Sequence, residues 1–100
     1  MKLKDRVAIV TGGGKGIGQE ICLGLVKEGA KIVIAEIDVE NSEKAKKKII
    51  DAGSEAIIIK TDVSNQNNIN EMLEQTIKHF GKIDILINNA GIRHVKKLLD

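Results

Sequence analysis

The chain has 100 residues, which is enough for one domain with a small hydrophobic core. Apolar residues make up 42% and charged residues 30%, a composition typical of globular proteins and unlike that of disordered ones. The net charge of +2 is small and the lysines are interleaved with glutamates, so a nucleic-acid partner is not expected.

Cysteine and histidine are too sparse to suggest a disulfide or a metal centre. Cys22 is the single cysteine, and the two histidines lie far from it with no ligand spacing. No apolar run approaches the ~20 residues that a membrane span needs, and the charged segment 1–6 is not followed by a signal-peptide core. These features predict a cytoplasmic protein with no membrane partner.

The chain opens with a strand and an amphipathic helix. Val7–Val10 shows no polar alternation, which is typical of a strand buried on both faces. An apolar stripe at helical spacing follows a run of glycines, and Gly29 then suits a left-handed helix end. The stripe consists of Ile17, Ile21, Leu25 and Val26. We expect Cys22, on the same helix, in the core.

Two further helices are predicted, in the same alternation of strand and helix. Asn41 or Ser42 is expected to cap the second helix, which would stop at Gly53. Ser64 is expected to cap the third helix, which would end at Gly81. The apolar positions are Ala45, Ile49 and Ala52 in the second helix and Ile69, Met72, Leu73, Thr76, Ile77 and Phe80 in the third.

Alternating strands and helices with short connections predict a parallel sheet with right-handed crossovers. The further strands are predicted at Lys31–Ala35, Ala56–Ile59 and Ile83–Ile87. We expect an α/β fold of the Rossmann type, a doubly wound parallel sheet with the order 3-2-1-4. The first two helices would cover one face and the third helix the other. Residues 1–100 would then form the dinucleotide-binding part of one such domain.

A glycine-rich loop, Thr11–Gly18, stands directly between the first strand and the first helix. Glycine permits positive φ in so sharp a turn, and the bare backbone lets a diphosphate approach the N–H groups at the start of the helix. Phosphate binding of the nucleotide-hydrolase kind is disfavoured, because Lys15 is followed by Gly16 instead of serine or threonine. A tight turn without a ligand is the remaining alternative.

Glu36 follows Gly18 by eighteen residues, at the tip of the second predicted strand. A carboxylate there can accept hydrogen bonds from the adenosine ribose hydroxyls and would repel a 2′-phosphate, which favours NAD over NADP. Lys15 argues the other way, because it could pair with that phosphate. NAD is therefore the expected cofactor and NADP the less favoured one.

Together with two later motifs, the loop resembles the short-chain dehydrogenase/reductase family over residues 4–93. Asp62-Val63 follows the third strand and is similar to the family's adenine site, where Asp62 would accept from the adenine amino group. The sequence Asn88-Asn89-Ala90-Gly91 follows the fourth strand and is similar to the family's N-N-A-G motif. The resemblance implies that Asn88 steadies the sheet near Thr11. It also implies that Asn89 and Ala90 face the ribose on the nicotinamide side.

The loop and the resemblance together predict a cofactor site at the ends of the strands. Its predicted residues are Gly12, Gly14, Lys15, Gly16, Ile17, Gly18, Glu36, Asp62, Val63, Asn89, Ala90 and Gly91. Within the family the chain is most similar to reductases of 3-oxoacyl thioesters. The resemblance thus implies hydride transfer between a nicotinamide and an alcohol or ketone.

The family's chemistry needs a tyrosine, a lysine four residues later and a serine. The chain has no tyrosine, and its serines at 42, 54 and 64 fall in the early units, so no catalytic residue is predicted. We expect a truncated piece of an oxidoreductase that is inactive alone, with a substrate only in a longer parent. A non-catalytic dinucleotide-binding module and an inactive remnant are the alternatives. We also expect self-association through the open edge of the fourth strand.

Overall fold

The computed structural model describes residues 2–14 and 16–89 of the chain. Within these residues, four strands alternate with three helices. In chain order they are β1 Val7–Thr11, α1 Gly16–Lys27, β2 Lys31–Glu36, α2 Val39–Asp51, β3 Ala56–Lys60, α3 Gln66–Phe80 and β4 Ile85–Asn88. All four strands extend one residue beyond the predicted end, and β4 also begins two residues later than predicted.

The strands form one parallel sheet in the order β3-β2-β1-β4, which confirms the predicted order. Thr11, the last residue of β1, lies opposite Ala35 of β2 and Asn88 of β4. Glu36 at the end of β2 lies opposite Lys60 of β3. The carboxyl ends of all four strands therefore meet at one edge of the sheet.

Each face of the sheet builds its own hydrophobic core, as the uninterrupted apolar runs predict. One face carries Ala8, Val10, Ile32 and Ile34 and packs against side chains of α1 and α2, including Cys22, Val26, Ala45 and Ile49. The other carries Val7, Ile9, Val33 and Ala35 and packs against α3 through Met72. The predicted division of the helices between the two faces is confirmed.

The starts of α2 and α3 differ from the prediction. Asp38, and neither Asn41 nor Ser42, caps α2: its Oδ1 accepts a hydrogen bond from Asn41 N at 3.1 Å. Asn65, and not Ser64, caps α3 by accepting from Asn68 N at 3.1 Å. In both places several neighbouring residues have side chains that can cap, and the true cap is the one that reaches the N–H three residues on.

Three residues predicted on apolar stripes are exposed instead. Ile17 is 61% exposed and Ile77 is 52% exposed, and Ala52 lies exposed at the C-cap of α2. Ile17 is in the first turn of α1, beyond the end of the sheet, where nothing in the described chain covers it. The predicted helix ends at Gly29 and Gly81 are confirmed, because both adopt the left-handed conformation, with φ of 96° and 83°.

The described residues contain neither a helix that could span a membrane nor a cluster of side chains that could hold a metal ion. No helix there is both long enough and apolar enough to cross a bilayer. Within residues 2–14 and 16–89, no group of three or more histidine, cysteine, aspartate or glutamate side chains could hold a metal ion.

Candidate functional site

The predicted site residues converge at the carboxyl edge of the sheet. The glycine loop leaves β1, Glu36 ends β2, Asp62 follows β3, and Asn89 follows β4. In open α/β sheets this edge is where ligands bind, because the loops there leave a crevice between neighbouring strands.

The glycine loop turns away from the sheet at Gly12. Gly12 has φ of 65°, a conformation that glycine adopts without steric cost, and its N–H donates to the Ala35 carbonyl of β2 at 2.9 Å. Gly16 has φ of 57° and begins α1. The first N–H groups of α1 have no carbonyl of the preceding turn to bind, so they lie at this edge as donors for an anion.

The middle of the loop is packed between α1 and α2. A Cβ on Gly13 would lie 3.1 Å from the Cys22 Sγ atom, and one on Gly14 would lie 2.9 Å from the Ser42 Oγ atom. Both glycines are buried. The loop can therefore follow this path only with small residues at these positions, which a tight turn on the surface would not require.

Gly18 allows α1 to approach the loop itself. A Cβ on Gly18 would clash with the carbonyl of Gly12 and would lie 2.7 Å from the Asn89 Nδ2 atom. Gly18 is buried in the first turn of α1. The helix start, the loop and the end of β4 are thus in contact at one point, and this requires glycine at position 18.

Glu36 and Asp62 line the same small cleft beside the loop. Its lining consists of Gly12, Ala35, Glu36, Ile37, Thr61, Asp62 and Val63. The Glu36 Oε2 atom accepts hydrogen bonds from the N–H groups of Ile37 at 2.9 Å and Asp38 at 3.4 Å. The cleft therefore presents two carboxylates and the bare backbone of Gly12 between β1 and β3.

Ser64 holds the Asp62 carboxylate in place. The hydroxyl of Ser64 donates to Asp62 Oδ1 at 2.6 Å, and its backbone N–H donates to the same oxygen at 3.0 Å. These two hydrogen bonds lower the pKa of Asp62 below its ordinary value. Asn68 fixes the backbone by accepting from Asp62 N at 3.2 Å. Asp62 is thus a preoriented acceptor at the end of β3.

The two asparagines at the end of β4, Asn88 within the strand and Asn89 directly after it, contact different partners. Asn88 Oδ1 accepts a hydrogen bond from the Thr11 hydroxyl at 2.9 Å, which links β4 to β1. Asn89 Nδ2 donates to the Gly12 carbonyl at 3.1 Å. The expected position of Asn88 near Thr11 is therefore seen in the structure.

Sequence reasoning missed part of this cleft. Thr61 and Ile37 also line it, and Ser64 was predicted as a helix cap although it binds Asp62. The sequence could have indicated Thr61 and Ile37 by their position, because each adjoins a predicted site residue at the end of a strand. Lys15, Ala90 and Gly91, which were predicted as site residues, lie outside the described residues.

Comparison with known proteins agrees with this geometry. A family model described as short chain dehydrogenase matches residues 6–100. The chain belongs to the short-chain dehydrogenase family. This confirms the resemblance stated from its motifs.

Relatives in the short-chain dehydrogenase family match most of the chain. A Thermotoga maritima protein called an uncharacterized oxidoreductase is 38% identical over 98 residues, which cover 98% of this chain and 38% of that protein. General stress protein 39 of Bacillus subtilis is 42% identical over 97 residues, which cover 96% of this chain and 34% of that protein. The chain therefore spans little more than a third of the length of these short-chain dehydrogenase relatives.

Solved structures show the same fold. The crystal structure of a hydroxysteroid dehydrogenase from Escherichia coli superposes with a TM-score of 0.83 at 30% identity, over 87% of this chain and 37% of that one. An NAD+-bound xylitol dehydrogenase superposes with a TM-score of 0.83 at 32% identity, over 86% of this chain and 33% of that one. The short-chain dehydrogenase domain described by residues 2–14 and 16–89 is thus a Rossmann-type sheet with its usual strand order.

Proposed function

We propose that this chain binds the ADP part of a nicotinamide dinucleotide at the carboxyl edge of its sheet, as the cofactor-binding part of an oxidoreductase. The observation that carries the proposal is the convergence of Gly12, Glu36 and Asp62 on one cleft. The Gly12 carbonyl also lies against Gly18 in the first turn of α1. Family membership supports the proposal, and so does the structural similarity to the NAD+-bound xylitol dehydrogenase.

The diphosphate would lie against the start of α1. The N–H groups of the first turn and the helix dipole favour an anion there. Gly16 is exposed and has no side chain, so the phosphates can approach its backbone. Ile17 is exposed beside this turn and would lie along the ligand. The turn therefore supplies charge stabilisation without a cationic side chain among the described residues of the loop.

Asp62 would accept a hydrogen bond from the adenine amino group, while Val63 would contact the adenine ring. The lowered pKa of Asp62 keeps the carboxylate ionised, and thus an acceptor, well below neutral pH. Its two hydrogen bonds from Ser64 fix its direction, so little side-chain entropy would be lost on binding. Ser64 is therefore a positioning residue in this proposal.

Glu36 would select NAD over NADP. Its carboxylate already occupies the N–H groups of Ile37 and Asp38, which are the backbone donors that a 2′-phosphate would need at this strand end. A phosphate would have to displace the carboxylate from these donors and would also meet its charge. The ribose hydroxyls, in contrast, can donate to the second carboxylate oxygen.

In the whole protein, we propose hydride transfer between a nicotinamide and an alcohol or ketone. The nicotinamide supplies the hydride chemistry when it is bound. The residues of this chain orient the dinucleotide through its ADP part, and we propose no proton donor among them, because the chain contains no tyrosine. The likeness to 3-oxoacyl thioester reductases, and the substrate with it, stays a prediction.

We also propose that the isolated 100-residue chain associates with itself through β4. Leu86 is 57% exposed, and β4 pairs with β1 on one side while no described strand pairs with its other side. An apolar strand edge of this kind favours pairing with another chain.

Isothermal titration calorimetry of the chain with NAD, NADP, ADP-ribose and adenosine tests the cofactor proposal. We expect binding of NAD and ADP-ribose, weaker binding of adenosine because it lacks the diphosphate, and weaker binding of NADP. A chain that is folded by circular dichroism but takes up none of these ligands at millimolar concentration would refute the proposed function.

A further inference from the structure

Asn88 and Asn89 are adjacent in sequence but use opposite ends of their amides. Asn88 acts as an acceptor, since its Oδ1 receives the Thr11 hydroxyl at 2.9 Å. Asn89 acts as a donor, since its Nδ2 binds the Gly12 carbonyl at 3.1 Å. A carboxylate could therefore replace the first side chain without loss of its hydrogen bond, whereas it could not replace the second.

The donor role of Asn89 is fixed by its surroundings. Its Oδ1 atom is buried and has no hydrogen-bond partner within the described part of the chain. A flipped amide would place that oxygen against the Gly12 carbonyl oxygen, two acceptors in contact. The observed orientation satisfies the carbonyl but leaves Oδ1 without a partner among the described residues, which would cost free energy if the side chain served only in packing.

Gly12 is the residue at which the loop leaves the sheet. Its N–H binds Ala35 of β2, and its carbonyl binds Asn89, so both of its polar groups are held. Gly12 has φ of 65° and no side chain to resist rotation. The backbone of Gly18 packs so closely on the same carbonyl that a Cβ there would clash with it.

From these contacts we infer that Asn89 is a positioning residue that holds the Gly12 carbonyl away from the anion site. This inference rests on the proposed dinucleotide site. Without the amide donor, the peptide that joins Gly12 to Gly13 can rotate and turn the Gly12 carbonyl oxygen toward the proposed anion site at the start of α1, where it would repel a diphosphate. Asn89 thus acts on the ligand through the loop, in addition to any contact it makes with the ribose.

The adjacent asparagines provide a matched pair of variants. At pH 8, Asn89→Asp removes the donor and is expected to weaken ADP-ribose binding about 10-fold or more, the effect of leaving one buried acceptor unpaired. Asn88→Asp adds the same charge one residue away but keeps its acceptor, so its affinity is expected to stay within about twofold of wild type. Titration calorimetry with ADP-ribose measures both, after circular dichroism has confirmed folding.

A pH series separates the positioning role from a loss of structure. When the new aspartate is protonated, its hydroxyl can again donate to Gly12, so the affinity ratio of wild type to Asn89→Asp should shrink as the pH falls from 8 to 5. Every titratable group other than residue 89 is the same in both proteins, so the effects of those groups cancel in that ratio. The Asn88→Asp ratio should not change.

The outcomes are distinct. If wild type binds neither NAD nor ADP-ribose, the proposed function fails, and this inference fails with it. If wild type binds and Asn89→Asp binds equally well at pH 8, the positioning role alone is wrong. Asn89→Ala provides the second test if Asn89→Asp does not fold: it should lose about 10-fold in affinity at every pH, and wild-type affinity would overturn the inference.

Discussion

Asp84 and Val7 hold the starts of two neighbouring strands together through a pair of hydrogen bonds. The Asp84 carboxylate accepts from Val7 N at 2.9 Å, while the Asp84 N–H donates to the Val7 carbonyl at 2.9 Å. The two residues are 77 positions apart. The contact aligns β1 with the segment leading into β4 and thereby sets the register that places Asn88 opposite Thr11.

Asp84→Asn is expected to lower the melting temperature at neutral pH. The Val7 N–H, followed by the Lys82 and Arg6 cations, lowers the pKa of Asp84 below its ordinary value of 3.8. A carboxyl whose pKa is lower in the folded state stabilises the fold above its unfolded pKa, and this contribution is lost as the pH falls through the folded value. Wild type and variant should therefore converge below pH 3.8 in thermal melts. Asp51→Asn, at the exposed end of α2, serves as the control and should melt like wild type at neutral pH.

Alanine substitutions at two glycines of α1 are expected to have opposite effects on the free energy of unfolding. A Cβ on Gly18 would clash with the Gly12 carbonyl, so Gly18→Ala should lose about 1–3 kcal/mol of unfolding free energy. A Cβ on Gly24 would meet no atom of residues 2–14 and 16–89 within 4 Å, so Gly24→Ala should gain up to about 1 kcal/mol from helix propensity. Urea unfolding followed by circular dichroism measures both. Equal effects of the two substitutions would contradict the close approach at Gly18.

Glu36→Ala is expected to relax the selection against NADP. Removal of the carboxylate takes away the Glu36 acceptor that competes with a 2′-phosphate for the N–H groups of Ile37 and Asp38, and it removes a like charge. The ratio of the Kd for NADP to the Kd for NAD should fall about 10-fold, which corresponds to about 1.4 kcal/mol. Glu43→Ala, an exposed substitution on α2, should leave that ratio unchanged. An unaltered ratio in Glu36→Ala would remove Glu36 from this role.

Cys22 is expected to report on the unfolding of the domain. Burial raises the pKa of its thiol to about 12, so almost none of the reactive thiolate is present at pH 8. Reaction with Ellman's reagent should be at least about 100-fold slower in buffer than in 8 M urea, where the thiol is exposed and more ionised. ADP-ribose should slow it further if it stabilises the fold. Rapid labelling of the native chain would show that α1 does not stay packed on the sheet.

Self-association through β4 is testable with a pair of exposed apolar residues. Leu86→Lys places a charge on the uncovered strand and should shift the chain toward the monomer in analytical ultracentrifugation. Ile77→Lys changes a residue that is 52% exposed on α3 and is not part of β4, and it should leave the distribution as in wild type. A monomeric wild-type chain at 100 µM would rule the association out.

Strand and helix identity could be predicted from the sequence because the signals are local. The run Val7–Val10 has no polar residue, so its burial on both faces follows from its composition. Gly29 and Gly81 end their helices because glycine adopts a left-handed φ at little steric cost. The short connections then leave few topologies for a parallel sheet, which is why the strand order was predictable.

Long-range contacts decided what the sequence left open. Asp38, Asn41 and Ser42 all have side chains that can cap a helix, and only the path of the chain out of β2 selects Asp38. Ile17 has the spacing of a core residue, yet it is exposed because α1 begins beyond the edge of the sheet. Local pattern thus determined which residues are apolar and helical, but it could not determine which of them the sheet covers.

Asn88 and Asn89 show the same contrast between sequence and tertiary structure at the candidate site. The sequence alone determined that two amide side chains stand at the end of the fourth strand and that a glycine turn follows the first. The tertiary structure decided that Asn88 accepts from Thr11 whereas Asn89 donates to Gly12. The physical reason is that an amide side chain carries both a donor and an acceptor, so its role is set by the group that the fold brings to face it.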